Sequence, residues 1–160
     1  MTRLDIESAA QRLEDFPTAL RGMVAGLPDE VVRRKRSMTE FSILENVCHL
    51  RDIERDGYSV RLRRLLDEPQ PFLPDLDGSR LAQERDYNSQ AIQNALETFS
   101  KERMANVALI RALRPEQLSR TGHLETVGPV SVEQLLGRMQ EHDREHLELI
   151  EGLRSDQSHS

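Results

Sequence analysis

The chain has 160 residues, which is the size of one ordinary domain and leaves no room for two. Hydrophobic residues make up 37% of it, charged residues 31% and aromatic residues only 4%, so we expect a core packed mainly from aliphatic side chains. The formal net charge of −6 argues against nonspecific binding to nucleic acid, which needs a basic surface.

Cys48 is the one cysteine, so a disulfide within the chain is excluded, and we expect this residue to pack in the core. The N-terminal segment lacks the long apolar stretch of a secretory signal. No stretch of sequence reaches the ~18 apolar residues that a membrane span requires. These features predict a cytoplasmic protein without a membrane or nucleic-acid partner.

Helical periodicity dominates the chain and predicts four main helices. The first extends from about Leu4 to Gly26, and Pro17 in its interior predicts either a kink or two successive helices. The basic residues 33–36 that follow are interpreted as a solvated loop, with an anion site as the alternative.

The second helix begins near Thr39 or Ser42, where the sequence Ser-Ile-Leu-Glu matches a capping box, and ends near Leu66. Three prolines within residues 69–74 exclude regular helix and strand there. We expect an ordered, extended loop that packs over another part of the protein.

The third helix is predicted from about Ser79 to Leu113. Arg85 and Asn88 fall on its apolar stripe, where they either line a cavity or form a solvated end of the bundle. The segment from Pro115 to Pro129 is predicted as loop.

A second capping box starts the fourth helix at Ser131, and this helix should end near Gly152 or Leu153. The whole predicts an all-α, up-and-down-type four-helix bundle. Residues 1–154 should form this single domain, and residues 155–160 a flexible C-terminal tail.

His142 and His146 are spaced i, i+4 on the fourth helix, so that both imidazoles can reach one metal ion. They share a stripe with apolar residues and should therefore point into the bundle. The apolar members of that stripe are Leu135, Met139, Leu149 and Leu153. Buried imidazoles are either hydrogen-bonded or metal-bound, and the pairing on one apolar face favours a metal.

A metal site needs a third protein ligand, and His49 on the second helix is the natural candidate. Glu45 and Asp52 lie one turn to either side of it; they are ligands, partners of an imidazole N–H, or ordinary acids of the helix surface. His123, in the loop before the fourth helix, lies either at a pocket mouth or on plain surface.

Residues 142–146 also match the inverted zinc-protease pattern H-x-x-E-H, in which Glu145 would be a general base. A match of five residues in a charged helix arises easily, so the pattern alone does not decide. The chain has no phosphate-binding glycine loop and no G-x-S-x-G motif, so nucleophilic serine or cysteine catalysis has no support.

Three segments in this order resemble the DinB/YfiT-like four-helix-bundle family. They are residues 41–54 (FSILENVCHLRDIE), residues 85–87 (RDY), and residues 128–147, with GPVS, LL, HD and HL. The resemblance covers about residues 17–153. Phe41 stands where the family often has tryptophan, which changes packing and leaves the metal positions intact.

The resemblance implies a divalent metal, zinc or nickel, held by His49, His142 and His146, and a frequent homodimer. Activities in this family include metal-dependent hydrolases and thiol-dependent transferases that use low-molecular-weight bacterial thiols. It implies a small-molecule substrate, for which Arg85 and His123 are candidate contacts. The alternative is a non-catalytic, dimeric, stress-associated protein whose metal is structural.

Overall fold

The structure is a computed structural model of the chain and describes residues 2–157. Within this range there are seven α-helices and three short strands. The helices are α1 (Arg3–Val24), α2 (Asp29–Arg33), α3 (Ile43–Asp52), α4 (Ser59–Asp67), α5 (Gly78–Glu84), α6 (Ile92–Arg111) and α7 (Val132–Gln157). The strands are β1 (Phe72–Leu73), β2 (Thr121–Leu124) and β3 (Gly128–Ser131).

Four long rods form the bundle, namely α1, the pair α3–α4, α6 and α7. A π-helical segment, Ile53–Tyr58, joins α3 to α4 without a break. α1 packs against α6 and α7, and α3 packs against the same two helices. The order around the bundle is therefore first, third, second and fourth rod. This architecture confirms the predicted all-α four-helix bundle.

The first rod is a single helix that continues through Pro17, so the predicted alternative of two successive helices is wrong. Proline has no N–H to donate to the carbonyl four residues earlier, which here is Leu13. Arg103 of α6 donates to that carbonyl instead, with Nη1 at 3.0 Å from the oxygen. A long-range contact thus satisfies the acceptor that Pro17 leaves free.

Both predicted capping boxes are present. Ser42 Oγ accepts from the backbone N–H of Glu45 at 3.0 Å, and the Glu45 carboxylate accepts from the Ser42 N–H at 3.0 Å. Ser131 and Gln134 exchange the equivalent bonds at 2.9 and 3.1 Å. These reciprocal bonds satisfy orphan N–H groups and fix where α3 and α7 begin.

The predicted third helix, from Ser79 to Leu113, is wrong because it is interrupted between α5 and α6. Asp86 adopts a left-handed backbone conformation with φ of 48°, which ends α5. Tyr87 is fully buried and donates its hydroxyl to Asp52 at 2.5 Å. Tertiary contacts outweigh the local helical preference here.

A three-stranded sheet forms in segments predicted as loops. β1 pairs parallel to β2, with Phe72 opposite His123, and β2 pairs antiparallel to β3. The inner face contributes buried apolar residues to the core, which are Leu73, Leu124 and Val130. The prediction of an extended segment that packs over the bundle is confirmed, whereas the exclusion of strand is wrong: two residues between prolines suffice for pairing.

α7 continues through Gln157 and so includes residues 155–157, the first three residues of the predicted tail. Arg36 pairs with Asp156 at 2.5 Å in this extension. Residues 158–160, the rest of the predicted tail, lie outside the described residues. Leu149, expected on the buried stripe, is 50% exposed because it lies at the edge of that stripe.

The basic segment 33–36 uses its charges within the protein. Lys35 pairs with Glu45 at 3.1 Å and Arg33 with Asp29 at 2.8 Å. These contacts agree with the interpretation as a surface loop and give no support to an anion site. Among residues 2–157, no helix combines the length and apolar character of a membrane span.

Candidate metal centre

Three imidazoles meet between α3 and α7. The Nε2 atoms of His49 and His142 lie 3.1 Å apart, and one ring nitrogen of each of His49, His142 and His146 lies within 4.8 Å of the other two. The ring centroids are separated by 4.6 Å for His49–His146, 5.1 Å for His49–His142 and 4.5 Å for His142–His146. The structure therefore brings together the three residues that the sequence selects as metal ligands.

The spacing of the ligands along two packed helices produces this convergence. His142 and His146 lie one turn apart on α7, so both rings face the same neighbour. That neighbour is α3, which carries His49. All three side chains are partly buried.

Asn46 orients the ring of His146. Its Oδ1 lies 2.7 Å from His146 Nδ1, and its Nδ2 donates to the Ser42 carbonyl at 2.9 Å. Because that amide nitrogen is already committed to a carbonyl, the oxygen faces the ring and the Nδ1 atom of His146 carries the proton. Nε2 of His146 then keeps its lone pair free for a cation.

The ring of His49 lies in a close-fitting slot against Gly78 and Phe41. The Phe41 ring centroid is 5.5 Å from that of His49. A Cβ at Gly78 would lie 2.7 Å from His49 Cε1 and 2.9 Å from Nδ1, closer than van der Waals contact allows. Gly78 is therefore needed for α5 to approach this ring.

His49 Nδ1 is buried and has no hydrogen-bond partner among the described residues. Polar side-chain atoms are seldom buried without a hydrogen-bond partner, and those that are often lie at functional sites. The slot thus holds the ring by its shape, with Nε2 directed toward His142.

The environment keeps all three imidazoles neutral near pH 7. Burial lowers the pKa of His49 to about 4 and, with a smaller contribution from His49, that of His146 to about 3. Burial, followed by the neighbouring His146 and His49, lowers the pKa of His142 to about 2. Neutral imidazole is the form that binds metal ions, so protons do not compete for these nitrogens at neutral pH.

This donor set fits a divalent metal ion. Imidazole nitrogens bind zinc at about 2.0–2.1 Å, so two of them in a tetrahedral site lie about 3.3 Å apart. The separation of 3.1 Å between His49 Nε2 and His142 Nε2 is close to this value. Three imidazoles suit zinc, nickel, copper or iron, so the ligand set does not select among them.

A cavity of about 310 Å³ opens beside the cluster, and His49 and His142 form part of its wall. Tyr58, from the π-helical segment, also lines it and contacts the ring of His142 with centroids 5.8 Å apart. A larger groove of about 640 Å³ between α1 and α7 includes none of the three histidines. The smaller cavity is therefore the one from which a molecule could approach the imidazoles.

Among the described residues, Glu45 and Asp52 form no hydrogen bond with the three imidazoles, and the interpretation of both as surface acids is wrong because both are buried. Glu45 caps α3 and pairs with Lys35. Asp52 is fully buried and accepts from Arg51, Arg55, Arg85 and Tyr87. Both carboxylates are occupied in holding the fold.

The structure does not bring Arg85, His123 or Glu145 to the cavity wall. Arg85 donates to Asp52 at 2.9 Å and to Asp56 at 2.8 Å. His123 is exposed and stacks on Phe72 with centroids 5.8 Å apart, and Glu145 is exposed on α7. Their roles in substrate contact and in proton transfer stay predictions.

A buried ion-pair network supports the helix that carries two of the ligands. Arg103 of α6 is 1% exposed and donates to Asp143 at 2.7 and 2.8 Å and to Glu54 at 2.9 and 3.0 Å. Burial raises the pKa of Asp143 to about 6 although Arg103 opposes the shift. Because Asp143 follows His142 directly, this network fixes α7 at the level of the cluster.

Sequence reasoning missed Asn46, Gly78 and the cavity residues Arg61 and Arg138. Arg138 lies four residues before His142 and could have been found by the same i, i+4 argument that paired the histidines. Asn46 and Gly78 act on rings that are distant in sequence or belong to another helix, so no local pattern identifies them.

Comparison with known proteins identifies the family. Residues 12–150 match the DinB superfamily, and the chain belongs to it. It is 25% identical over 153 residues to a protein of Oceanobacillus iheyensis named "Putative metal-dependent hydrolase", covering 96% of this chain and 88% of that protein.

A solved structure has the same fold. It is YfiT from Bacillus subtilis, which is described as "a probable metal-dependent hydrolase with an unusual four-helix bundle topology". The TM-score is 0.91 at 21% sequence identity, and the alignment covers 99% of this chain and 90% of YfiT. The match establishes that the arrangement of helices is shared.

Proposed function

We propose that this protein binds one divalent metal ion through His49, His142 and His146 and acts as a metal-dependent hydrolase on a small molecule. The convergence of three neutral imidazoles at the wall of a cavity carries this proposal. The Oceanobacillus iheyensis relative supports it, because its name is "Putative metal-dependent hydrolase". Zinc and nickel are the proposed metals.

Held by His49, His142 and His146, a divalent ion would supply Lewis acidity that polarises an oxygen atom or makes a water molecule acidic. The protein's own residues prepare these ligands. Asn46 fixes the tautomer of His146, and the Gly78 slot fixes the orientation of His49. The low pKa values of the imidazoles keep their lone pairs available at neutral pH.

The cavity wall contributes the binding surface for the substrate. Ile53, Leu76 and Leu124 provide apolar contact, and Tyr58 closes one side against His142. A volume of about 310 Å³ lies at the lower end of the range of roughly 300–1,000 Å³ for ligand pockets, so the proposed substrate is small.

Metal analysis with matched histidine variants tests the proposal. We expect one equivalent of zinc or nickel in the purified wild type, its loss in His142→Ala, and no change in His123→Ala, which removes an exposed histidine. Equal metal content in wild type and His142→Ala would refute the assignment of the ligands. A chelator should also lower the melting temperature of the loaded protein.

Activity separates the hydrolase from the alternatives. Hydrolysis of small esters, amides or phosphoesters by the loaded protein, lost in His142→Ala, supports the proposal. Turnover only when a low-molecular-weight thiol is added would instead indicate the predicted transferase. A fourth protein ligand closing the metal sphere would indicate the non-catalytic, structural role. The homodimer stays a prediction that light scattering can test.

A further inference from the structure

The cavity beside the imidazoles carries an excess of positive charge. The cavity is lined by two guanidinium groups, those of Arg61 on α4 and Arg138 on α7, and by one carboxylate, that of Asp75. The guanidinium and carboxylate groups of the lining therefore sum to one positive charge, and a divalent metal ion would add two more.

Arg61 lacks a carboxylate partner within ion-pair distance among the described residues. Its Nη2 donates to the backbone carbonyl of Pro74 at 3.2 Å, and its guanidinium lies 5.9 Å from the centroid of the Tyr58 ring. Burial lowers the pKa of Arg61, and the neighbouring Tyr58 and Asp75 only partly offset this shift. The guanidinium is thus partly desolvated, and the charge of Asp75 compensates it only in part.

Neighbouring arginines on the same helices show the contrast. Arg64 of α4 pairs with Glu68 at 2.7 Å, and Arg144 of α7 pairs with Glu141 and Glu148. Arg138 of α7 has no such partner among the described residues; it is exposed and forms part of the cavity lining. Arg61 and Arg138 thus differ from Arg64 and Arg144, whereas Arg63, which within residues 2–157 donates only to the Ser59 carbonyl, lies outside the cavity lining.

We propose that Arg61 and Arg138 bind an anionic group, a carboxylate or a phosphoryl group, of the molecule that occupies this cavity. A guanidinium offers paired N–H donors that match the two oxygens of such a group. Leu76, Leu124 and Val127 supply apolar contact for the rest of the molecule. This inference names the substrate class of the proposed hydrolase and rests on that proposed function.

Binding of two anions and a neutral analogue tests the inference. Succinate, inorganic phosphate and succinamide are titrated into zinc-loaded protein by calorimetry. We expect at least one of the anions to bind in the millimolar range or tighter, and succinamide, the uncharged analogue of succinate, to bind at least about tenfold more weakly than succinate if succinate binds. Failure of both anions to bind, or equal affinity for succinate and succinamide, would overturn the inference.

Arginine variants locate the bound anion. Arg61→Gln and Arg138→Gln should each weaken anion binding about tenfold or more, because each removes a charged hydrogen-bond donor. Arg63→Gln is the matched control, since Arg63 lies on α4, is exposed and donates to the Ser59 carbonyl. Unchanged affinity in the first two variants, or an equal loss in the control, would contradict binding by this pair.

Metal content measured on each variant keeps the two proposals separate. The arginine variants should retain the metal and the melting temperature of the wild type. If the wild type holds no metal, the proposed hydrolase fails, and the same titrations of the metal-free protein still decide whether Arg61 and Arg138 bind anions.

Discussion

Replacing Arg103 with methionine should destabilise the protein severely. The side chain is 1% exposed and makes five hydrogen bonds, four to the carboxylates of Glu54 and Asp143 and one to the Leu13 carbonyl. Methionine fills similar volume but leaves both carboxylates buried without a cation. Breaking a buried ion pair in this way costs about 3–5 kcal/mol, a large share of the roughly 5–15 kcal/mol of a typical domain.

Urea denaturation followed by circular dichroism measures this loss, with Arg111→Met as the control. Arg111 lies on the same helix and pairs with Glu7 and Glu14, but at the surface, so its removal should cost much less. The pKa of Asp143 is about 6 even beside Arg103. Lowering the pH toward 5 should therefore protonate the unpaired carboxylate and narrow the gap between Arg103→Met and wild type.

A loss below about 1 kcal/mol in Arg103→Met, or a loss no larger than that of Arg111→Met, would refute the reasoning. Such a result would mean that water or a rearranged side chain compensates the two carboxylates, and that the network does not fix α7.

Three further predictions concern the imidazole cluster. Gly78→Ala should weaken metal binding about tenfold or more because the added Cβ would displace the His49 ring. Gly22→Ala is the control, since no atom lies within 4 Å of its added Cβ, and it should leave metal binding unchanged. Equal metal affinities of the two variants, measured in competition with a chromogenic chelator, would contradict this. Asn46→Ala should weaken metal binding by about 10–100-fold, whereas Asn46→Asp, which keeps an acceptor for His146, should retain most of the wild-type affinity. An equal loss of metal affinity in both variants would contradict the acceptor role of Asn46. The metal-free protein should lose stability as the pH falls from 6.5 toward 4, by about 1–2 kcal/mol for each imidazole at pH 5. The reason is that the imidazoles of the unfolded chain gain protons in this range, whereas those of the folded protein, whose pKa values are lowered, do not. A free energy of unfolding, measured in urea, that stays constant across this range would contradict the prediction.

Local sequence signals predicted the frame of the bundle. Ser42 and Ser131 mark helix starts by capping boxes that depend only on residues three apart, and the structure contains both. The spacing of His142 and His146 placed two imidazoles on one face, and the choice of His49 as their neighbour matches the observed convergence. The capping boxes and the histidine pair depend on short spacings along the sequence, which exist without tertiary contacts.

The features that sequence reasoning missed depend on contacts between distant segments. The break between α5 and α6 forms because Arg85 and Tyr87 bind Asp52, 33 and 35 residues earlier. The small sheet pairs Phe72 with His123, and each strand is too short to show an alternating pattern. Asn46 meets His146 across 100 residues of sequence. In each case a long-range partner decides the local structure.

Anomalous diffraction from a crystal of the zinc-loaded protein tests most directly whether the three imidazoles share one metal ion. We expect a single peak about 2.0–2.1 Å from one nitrogen of each of His49, His142 and His146, with the remaining position facing the cavity lined by Tyr58. A peak bound by His142 and His146 without His49, or a zinc ion elsewhere on the chain, would contradict it.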